Sequence, residues 1–344
     1  MDALLPTIWF ILIAVLWIGY LVLEGFDLGV GMHMLTRGRS DKERRLMLNT
    51  IGPVWDGNEV WLLTAGGATF AAFPFWYASL FSALYIPLTL ALVFLIFRNV
   101  AIEYRGKGKT AGWVTFWDWA LGVGSFGAAF CVGALLAITT TGLPLNENGD
   151  RVGGPFAWLT IYAVIGGLGA IGYCFVQGAT FLALKTVGET RDAARAFVVK
   201  WMPLLVLPLA AWAIIVQVQT GEVWTWVVLV LAVVAAAAAW VASRAGREGW
   251  AFTAFSGFLV LGAVSIFGAV YPVVLPSTID LAFSLTVTNA SSSPYTLGVM
   301  SFVALFGVPI VLAYQAWSYW IFKKRLSIEQ IPEHHVIEPA VAPR

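Results

Sequence analysis

Two pairs of acidic residues stand inside apolar stretches of this sequence. The first pair is Glu24 and Asp27, and the second is Asp56 and Glu59. A charged side chain at the centre of a membrane costs about 2.5–3.5 kcal/mol on insertion scales, so such residues usually face a protein interior and mark a functional path. In each pair the two residues are three positions apart, which places both carboxyl groups on one face of a helix.

Two buried carboxyl groups this close resist joint ionisation, so one of them retains a proton more readily than an isolated acid does. Groups that exchange protons are able to pass them along a path. The pattern therefore predicts a proton path through these four side chains. A purely structural interpretation, in which the acids hydrogen-bond to neighbouring helices, is also open.

The first acid pair lies in a glycine-rich segment that contains Gly25, Gly29 and Gly31. Small residues at helical spacing allow a neighbouring helix or a flat cofactor to approach closely. The segment is not a phosphate-binding loop, because it lacks the preceding strand and the Lys-Ser/Thr pair that such a loop requires. The glycines therefore predict close packing and give no indication of nucleotide binding.

Histidines and cysteines are too few, and wrongly placed, for a haem or metal centre in this chain. The three histidines are His33, near the end of the first apolar stretch, and the adjacent His334 and His335 near the C-terminus. A membrane haem often takes a histidine ligand, and no pair of histidines stands at mid-membrane depth. We expect His33 to be a polar anchor at the membrane interface, with no iron ligand, no metal site and no catalytic residue in this chain.

Cys131 and Cys174 both fall in apolar stretches, without a CxxC or CxxCH motif. They are expected to be small packing residues. Trp55 and Trp61 flank the second acid pair, and a packing role against a haem remains open for them.

The amino-acid composition indicates that these residues belong to a membrane protein. Hydrophobic residues make up 60% of the 344 residues, charged residues 11%, and the mean hydropathy is +0.82. A soluble domain carries about 25% charged residues, so the solvent here is lipid. The apolar runs are long and continuous, which favours helices over barrel strands. The net charge of +1 gives no basic surface for nucleic acid.

We predict an all-α polytopic membrane protein, because about 20 apolar residues are enough to cross a bilayer. Residues 1–330 form one transmembrane domain, and residues 331–344 form a disordered tail on the inner side. The predicted nine spans lie near residues 7–35, 53–73, 78–101, 117–140, 157–184, 199–219, 223–243, 250–271 and 296–322.

The distribution of basic residues tests this topology. If the N-terminus is outside, all of the 20 Lys and Arg residues except Arg151 fall in inner loops or the tail. That group includes Arg98 and the other basic residues up to Lys109, and Asp118 counts among the acids on the same side. Cytoplasmic loops are enriched in Lys and Arg, so the asymmetry predicts an odd number of spans, an outer N-terminus and a cytoplasmic C-terminus. Asp2 and the absence of a basic residue before Pro6 argue against a cleaved signal peptide.

Several motifs along the chain together resemble a known family. They are Glu24–Gly31, Asn49–Leu62, Thr64–Ala68, Phe73–Pro74, Gln177–Ala179, Lys185–Gly188, Trp250–Phe252, Tyr271–Pro272, Pro276–Ser277, Ser284–Thr286 and Trp317–Phe322. The set covers nearly the full length and is similar to subunit II of cytochrome bd-type quinol oxidases, found in bacterial cell membranes.

The resemblance implies a heterodimer with subunit I, which ligates two b-type haems and one d-type haem. Such a complex oxidises quinol, reduces oxygen to water and generates a proton gradient without pumping. Subunit II of this family has nine helices, arranged as two four-helix bundles plus one peripheral helix. Bound lipid, a structural quinone and a small single-helix accessory subunit are further possibilities that the resemblance leaves open.

The resemblance also implies that acids of the first two helices line a cytoplasmic proton path towards the oxygen-reducing haem. The matching positions are Asp27 and Asp56, with Glu24 and Glu59 as neighbours; family members vary at the last two. A proton- or sodium-coupled secondary transporter is the alternative from another class. Against it, all four acids crowd into the first two spans, and the two halves show no repeated pair of broken helices. A membrane scaffold without a proton path is the third interpretation.

Overall fold

The computed structural model describes residues 4–108 and 110–332, and helices dominate this part of the chain. Residues 333–344 of the predicted tail, which include His334 and His335, lie outside the described residues. Lys109 lies outside them as well. The α-helices are α1 Leu4–Arg37, α2 Asp41–Ile51, α3 Trp55–Ala72, α4 Pro74–Ala83, α5 Tyr85–Tyr104, α6 Ala111–Thr141, α7 Ile161–Lys185, α8 Glu189–Leu205, α9 Leu207–Thr220, α10 Val223–Arg244, α11 Glu248–Val270 and α12 Pro294–Ile321.

Eight helical segments of the described chain are long and apolar enough to cross a membrane. They are α1, α5 with the short 3-10 turn that follows it, α6, α7, the α8–α9 pair, α10, α11 and α12. The predicted span near 53–73 coincides with α3, whose 18 residues include Asp56, Asn58 and Glu59 and are too polar to meet the same criterion. The prediction of about nine spans thus agrees with the helices when α3 is counted.

Two predicted spans are interrupted in the structure. The span near 78–101 begins within α4, which ends before Leu84, so its continuous part is α5. The span near 199–219 combines the end of α8 with α9, and the helix breaks at Val206 between Pro203 and Pro208. Proline lacks the N–H needed in a helix interior and favours the first turn of a new helix, which explains the second break.

The helices pack as two bundles and one peripheral helix, as expected. Helices α1, α3, α5 and α6 form the first bundle; α7, the α8–α9 pair, α10 and α11 form the second. Helix α12 lies against α1 and α3, and Leu297 is its only buried residue. The bundles meet where α7 packs against α1 and α6, so α1 is covered on several sides.

Glycine makes the contact between α1 and α7 possible. A Cβ atom at Gly29 would stand 1.9 Å from the carbonyl oxygen of Cys174, and one at Gly178 would stand 2.4 Å from the carbonyl carbon of Gly29. No larger residue fits at this backbone-to-backbone approach, which is typical of small-residue helix interfaces. The glycine-rich segment of α1 therefore admits a helix at this position.

Loops close both ends of the bundles. At the predicted outer end, strands β1 Val273–Leu275 and β2 Leu285–Thr286 pair antiparallel, and Leu143 of the neighbouring loop donates its N–H to Pro276 O at 3.0 Å. At the opposite end, the segment after α12 packs on the protein. Ile331 is 4% exposed and Arg45 donates to Pro332 O at 2.7 Å, so the first two residues of the predicted tail are packed.

Candidate functional site: a buried acid cluster

Helix α1 places Glu24 and Asp27 in the interior of the protein. Both residues are 0% exposed. Their spacing of three residues points both side chains to the face of α1 that α3 and its neighbours cover. Because this face is closed to solvent and to lipid, any stable arrangement must supply polar partners from other helices.

Asp27 receives its partner from α3 and, through it, from α12. Asn58, which is 0% exposed, donates from Nδ2 to Asp27 Oδ2 at 2.6 Å. The other amide atom of Asn58, Oδ1, accepts from Tyr319 OH at 2.7 Å and from Gln315 Nε2 at 3.0 Å. This chain of hydrogen bonds links three helices and orients the amide of Asn58, so that its NH₂ group faces the carboxyl group of Asp27.

Arg98 is the cation of the site and corrects the charge count made from the sequence. That count assigned Arg98 to an inner loop, whereas it lies within α5 and is 0% exposed. Its Nη1 stands 2.8 Å from Glu24 Oε1 and 3.6 Å from Glu59 Oε2. Asn99 next to it donates to Glu59 Oε1 at 2.8 Å. The sequence does not distinguish a buried arginine two turns before a helix end from an arginine at the membrane surface, because its partners come from other helices.

Three of the four predicted acids therefore meet, and one lies apart. We call Glu24, Asp27, Glu59 and Arg98 the acid cluster. Asp56 is exposed in the first turn of α3, and the described residues offer its side chain no hydrogen bond or ion pair. The two acids of α3 diverge because Glu59 turns towards α5, while Asp56 stands at the helix end.

Several buried polar atoms of the acid cluster lack a hydrogen-bond partner. They include both carboxylate oxygens of Glu24, Asp27 Oδ1, Glu59 Oε2, and the Nε and Nη2 atoms of Arg98. The Glu24–Arg98 contact is thus close enough for an ion pair without the angles of a hydrogen bond. Buried polar groups in native proteins are nearly always satisfied, often by internal water. The cluster has the donors and acceptors to hold such waters.

The two tryptophans beside the second acid pair are both half-buried. Trp61 lies against α1, where a Cβ at Gly19 would stand 2.3 Å from its ring, and its Nε1 donates to Gln315 Oε1 at 3.4 Å. Trp55 begins α3. The suggested packing of Trp55 and Trp61 near a haem stays a prediction.

His33 is a buried residue with a backbone partner, which differs from the expected interfacial anchor. It is 1% exposed, and its Nε2 donates to Phe175 O at 2.8 Å. Its ring packs against Phe175 and Phe197 at centroid distances of 4.4 and 4.7 Å. The hydrogen bond and the two phenylalanines hold the ring in place, and the absence of an iron ligand in this chain stays a prediction. In the described residues no three His, Cys, Asp or Glu side chains are grouped to hold a metal ion.

A second buried ion cluster was missed by the sequence reasoning. Asp118, counted there among inner-loop acids, lies in α6 with its side chain 2% exposed. It pairs with Arg105 Nε at 2.5 Å and with Arg44 Nη1 at 2.8 Å, and Arg105 also reaches Asp41 at 2.7 Å. These pairs attach α2 and the turn after α5 to α6, so we interpret them as structural. The tryptophan-rich sequence around Asp118 contained no signal for its partners.

Comparison with known proteins places the chain in a family. A family model described as cytochrome bd terminal oxidase subunit II matches residues 5–322. The chain is 40% identical over 331 residues to cytochrome bd ubiquinol oxidase subunit 2 of Bacillus subtilis (strain 168), covering 94% of this chain and 98% of that relative. It is 36% identical over 366 residues to cytochrome bd-I ubiquinol oxidase subunit 2 of Escherichia coli (strain K12), covering 95% and 96%.

Among solved structures, the chain is similar to one chain of the bd oxidase from Geobacillus thermodenitrificans. The TM-score is 0.71 at 20% identity, over 93% of this chain and 99% of that chain, which shows a shared fold. Together with the family model over residues 5–322 and the two relatives above 30% identity, these matches show that the chain belongs to the family of cytochrome bd terminal oxidase subunit II.

Proposed function

We propose that this chain is the subunit of a bacterial quinol oxidase that supports a haem-bearing partner and supplies it with protons. The complex oxidises quinol and reduces oxygen to water, and it builds a proton gradient by taking protons from one side without pumping. The observation that carries the proposal for this chain is the buried acid cluster. The names of the relatives, ubiquinol oxidase subunits, supply the reaction.

The order of the acids along their helices supports a directed path. With the N-terminus outside, α1 runs inward and α3 runs outward. Asp56 then stands nearest the inner surface, and Asp27 lies deeper, at the level of Asn58. Glu59 lies about one helical turn deeper than Asp56, and Glu24 about one turn deeper than Asp27, because each residue advances a helix by about 1.5 Å. Exposed Asp56 takes up a proton, and the buried cluster receives it.

The charge balance of the cluster supports its capacity to hold a proton. Three carboxyl groups face the single guanidinium of Arg98, and full ionisation would leave excess negative charge where Glu24 and Asp27 are 0% and the Glu59 side chain 19% exposed. Because buried unpaired charge is costly, a proton shared among these groups is favoured. Internal water bound to the unpartnered oxygens would carry that proton between Asp27 and Glu24.

The haems belong to the partner in this proposal. They are two b-type haems and one d-type haem, and they supply the electron transfer and oxygen reduction of the complex. The sequence places no pair of histidines at mid-membrane depth to hold them. We therefore assign no redox step to a residue of this chain; its residues position helices and move protons.

Helix α3 supports the proposal of a membrane partner. It is more polar on average than the other long helices, and one side of it is exposed in this chain. This side, which we call the α3 stripe, combines small or polar residues with large apolar ones. Its members are Val60, Leu63, Thr64, Gly67 and Phe70. Small residues permit close helix approach, so the stripe suits a helix of subunit I better than lipid chains.

The transporter alternative gains no support from the relatives, all of which are named as oxidase subunits. The localisation that fits best is the bacterial cell membrane, with the N-terminus outside and the C-terminus in the cytoplasm. A small accessory subunit and a bound quinone stay predictions from the resemblance.

The proton path is tested by Asp27→Asn and Asp56→Asn in the complete oxidase. We expect each variant to retain the haem bands of the reduced-minus-oxidised spectrum and to lose tenfold or more of the quinol-dependent oxygen consumption, because an amide cannot relay a proton. Glu147→Gln, an exposed acid of the predicted outer loop, serves as the matched control and should keep full activity.

Full turnover with intact haem in both variants would favour the structural interpretation of the acids. Absence of b- and d-type bands in every preparation, with no larger subunit copurifying, would instead overturn the oxidase assignment.

A further inference from the structure

A polar cavity lies between the two bundles at the end where the basic residues collect. Its volume is about 260 Å³, and it is bounded by the end of α1, by α2, by the end of α7 and by the start of α8. The polar residues that line it are His33, Thr36, Arg37, Arg39, Glu43 and Thr190. The cavity is separate from the acid cluster, which shares none of these residues.

Two arginines of the cavity have no carboxylate partner in the described part of the chain. Arg37 packs its guanidinium over the Phe197 ring at 5.0 Å and forms no ion pair there. Arg39 is exposed, and only its backbone N–H is engaged, with Glu43 Oε2 at 2.9 Å. The other basic side chains with buried ends, such as Arg98 and Arg105, are paired. The cavity is therefore lined by two arginines whose side chains form no ion pair with the described residues.

His33, which lines the same cavity, has a ring nitrogen without a hydrogen-bond partner among the described residues. The residue is 1% exposed, and its Nε2 is used by Phe175 O, whereas Nδ1 has no hydrogen-bond partner among the described residues. In a neutral imidazole with Nε2 protonated, Nδ1 is an acceptor. The cavity thus offers an acceptor for a hydroxyl group beside donors for an anion.

The start of α8 adds a favourable electrostatic contribution. Thr190 and Ala193, in the first turns of the helix, line the cavity, and no side chain caps the helix N-terminus at Gly188. Free N–H groups and the helix dipole favour an anion at this position, and the acidic side chains Glu189 and Asp192 in the same first turn meet part of that preference. Glu43 is the single acidic side chain in the lining, so the cavity remains positive overall.

We propose that this cavity binds a phosphate-bearing anion and that its physiological ligand is the headgroup of an anionic phospholipid of the inner leaflet. Guanidinium groups bind phosphate oxygens in a forked geometry. Basic pockets between membrane helices on the cytoplasmic side are suited to anionic lipid headgroups. A glycerol headgroup also supplies hydroxyls for Nδ1 of His33. This site is independent of the proton path.

The test compares the complete oxidase with the double variant Arg37→Gln/Arg39→Gln and with Arg247→Gln, an exposed arginine outside the cavity. Binding of phosphatidylglycerol and of zwitterionic phosphatidylethanolamine to the detergent-purified complex is measured by native mass spectrometry. A separate titration with inorganic phosphate is followed by calorimetry. Retained haem bands show that each variant is assembled.

We expect the double variant to weaken phosphatidylglycerol binding roughly 30-fold, because each basic residue near an anionic surface contributes about a fivefold gain. Phosphatidylethanolamine binding and the Arg247→Gln control should change less than twofold. If only inorganic phosphate responds to the double variant, the phosphate site stands and the lipid source is wrong. Unchanged binding of both phosphatidylglycerol and phosphate in the double variant would overturn the proposal.

Discussion

At the scale of single residues, the central feature is one guanidinium shared among buried acids. Arg98 and Glu24 are both 0% exposed and stand 2.8 Å apart. Neither charge is tolerable alone in this environment, because desolvation costs several kcal/mol per ion and only the partner offsets it. The acids were recognisable from the sequence because they lie within apolar runs. Arg98 lies near the end of its apolar run and was therefore assigned to the following loop.

We predict that Arg98→Gln destabilises the complex by about 3–5 kcal/mol, since it removes the cation of the buried acids. Glu24→Gln should cost less, because Arg98 keeps its contact with Glu59 at 3.6 Å. The double variant should lose clearly less than the sum of the two single losses, because it removes both charges. Thermal unfolding of the purified complex, followed by haem absorbance, measures the three variants. Strictly additive losses would show that the two groups do not interact.

At the scale of secondary-structure elements, α3 is the exception among the spanning helices. The others are apolar enough to be recognised by hydropathy, whereas α3 carries Asp56, Asn58 and Glu59 in its first turns. Its buried face is used by Asn58, which holds Asp27, and its exposed face is the α3 stripe. Because the stripe combines small residues, which admit a close helix, with large apolar ones, we propose that a helix of the partner covers it.

A bulky residue on the α3 stripe tests that conclusion. A Cβ atom at Gly67 meets nothing within 4 Å, so this chain alone accommodates Gly67→Leu, whereas a closely packed partner helix would not. We expect Gly67→Leu to reduce copurification of the larger subunit several-fold. Gly257→Leu on α11 is the matched control, because its Cβ also meets nothing within 4 Å. Equal copurification of both variants would remove the α3 stripe from the proposed interface.

At the scale of the whole molecule, the distribution of Lys and Arg predicts the orientation in the membrane, and the packing of the helices forms the acid cluster. The asymmetry of Lys and Arg survives the correction of Arg98, because the remaining inner loops and the segment after α12 still hold nearly all basic residues. The bundle contact between α1 and α7 then covers the acids of α1. The two native cysteines, Cys131 and Cys174, are 4% and 1% exposed, which leaves a low background for labelling.

We predict that Glu147→Cys reacts with a membrane-impermeant maleimide in intact cells and that Asp192→Cys reacts only after the membrane is opened. Both positions are exposed. Glu147 lies in the predicted outer loop and Asp192 in the first turn of α8, and the charge rule assigns them to opposite sides. The protein without either substitution is the control for background labelling. Labelling of Asp192→Cys in intact cells would reverse the proposed orientation.

From the sequence alone follow the membrane class, the approximate positions of the helices and the presence of acids at membrane depth. These properties are local, since the length of an apolar run is compared with a bilayer of fixed thickness. Tertiary structure decided which polar groups meet. Arg98, Asn58 and Tyr319 come from three different helices, and their distances to the acids of α1 depend on helix packing, which local periodicity does not encode. For the same reason the sequence did not predict that Glu59 contacts Arg98 while Asp56 is exposed.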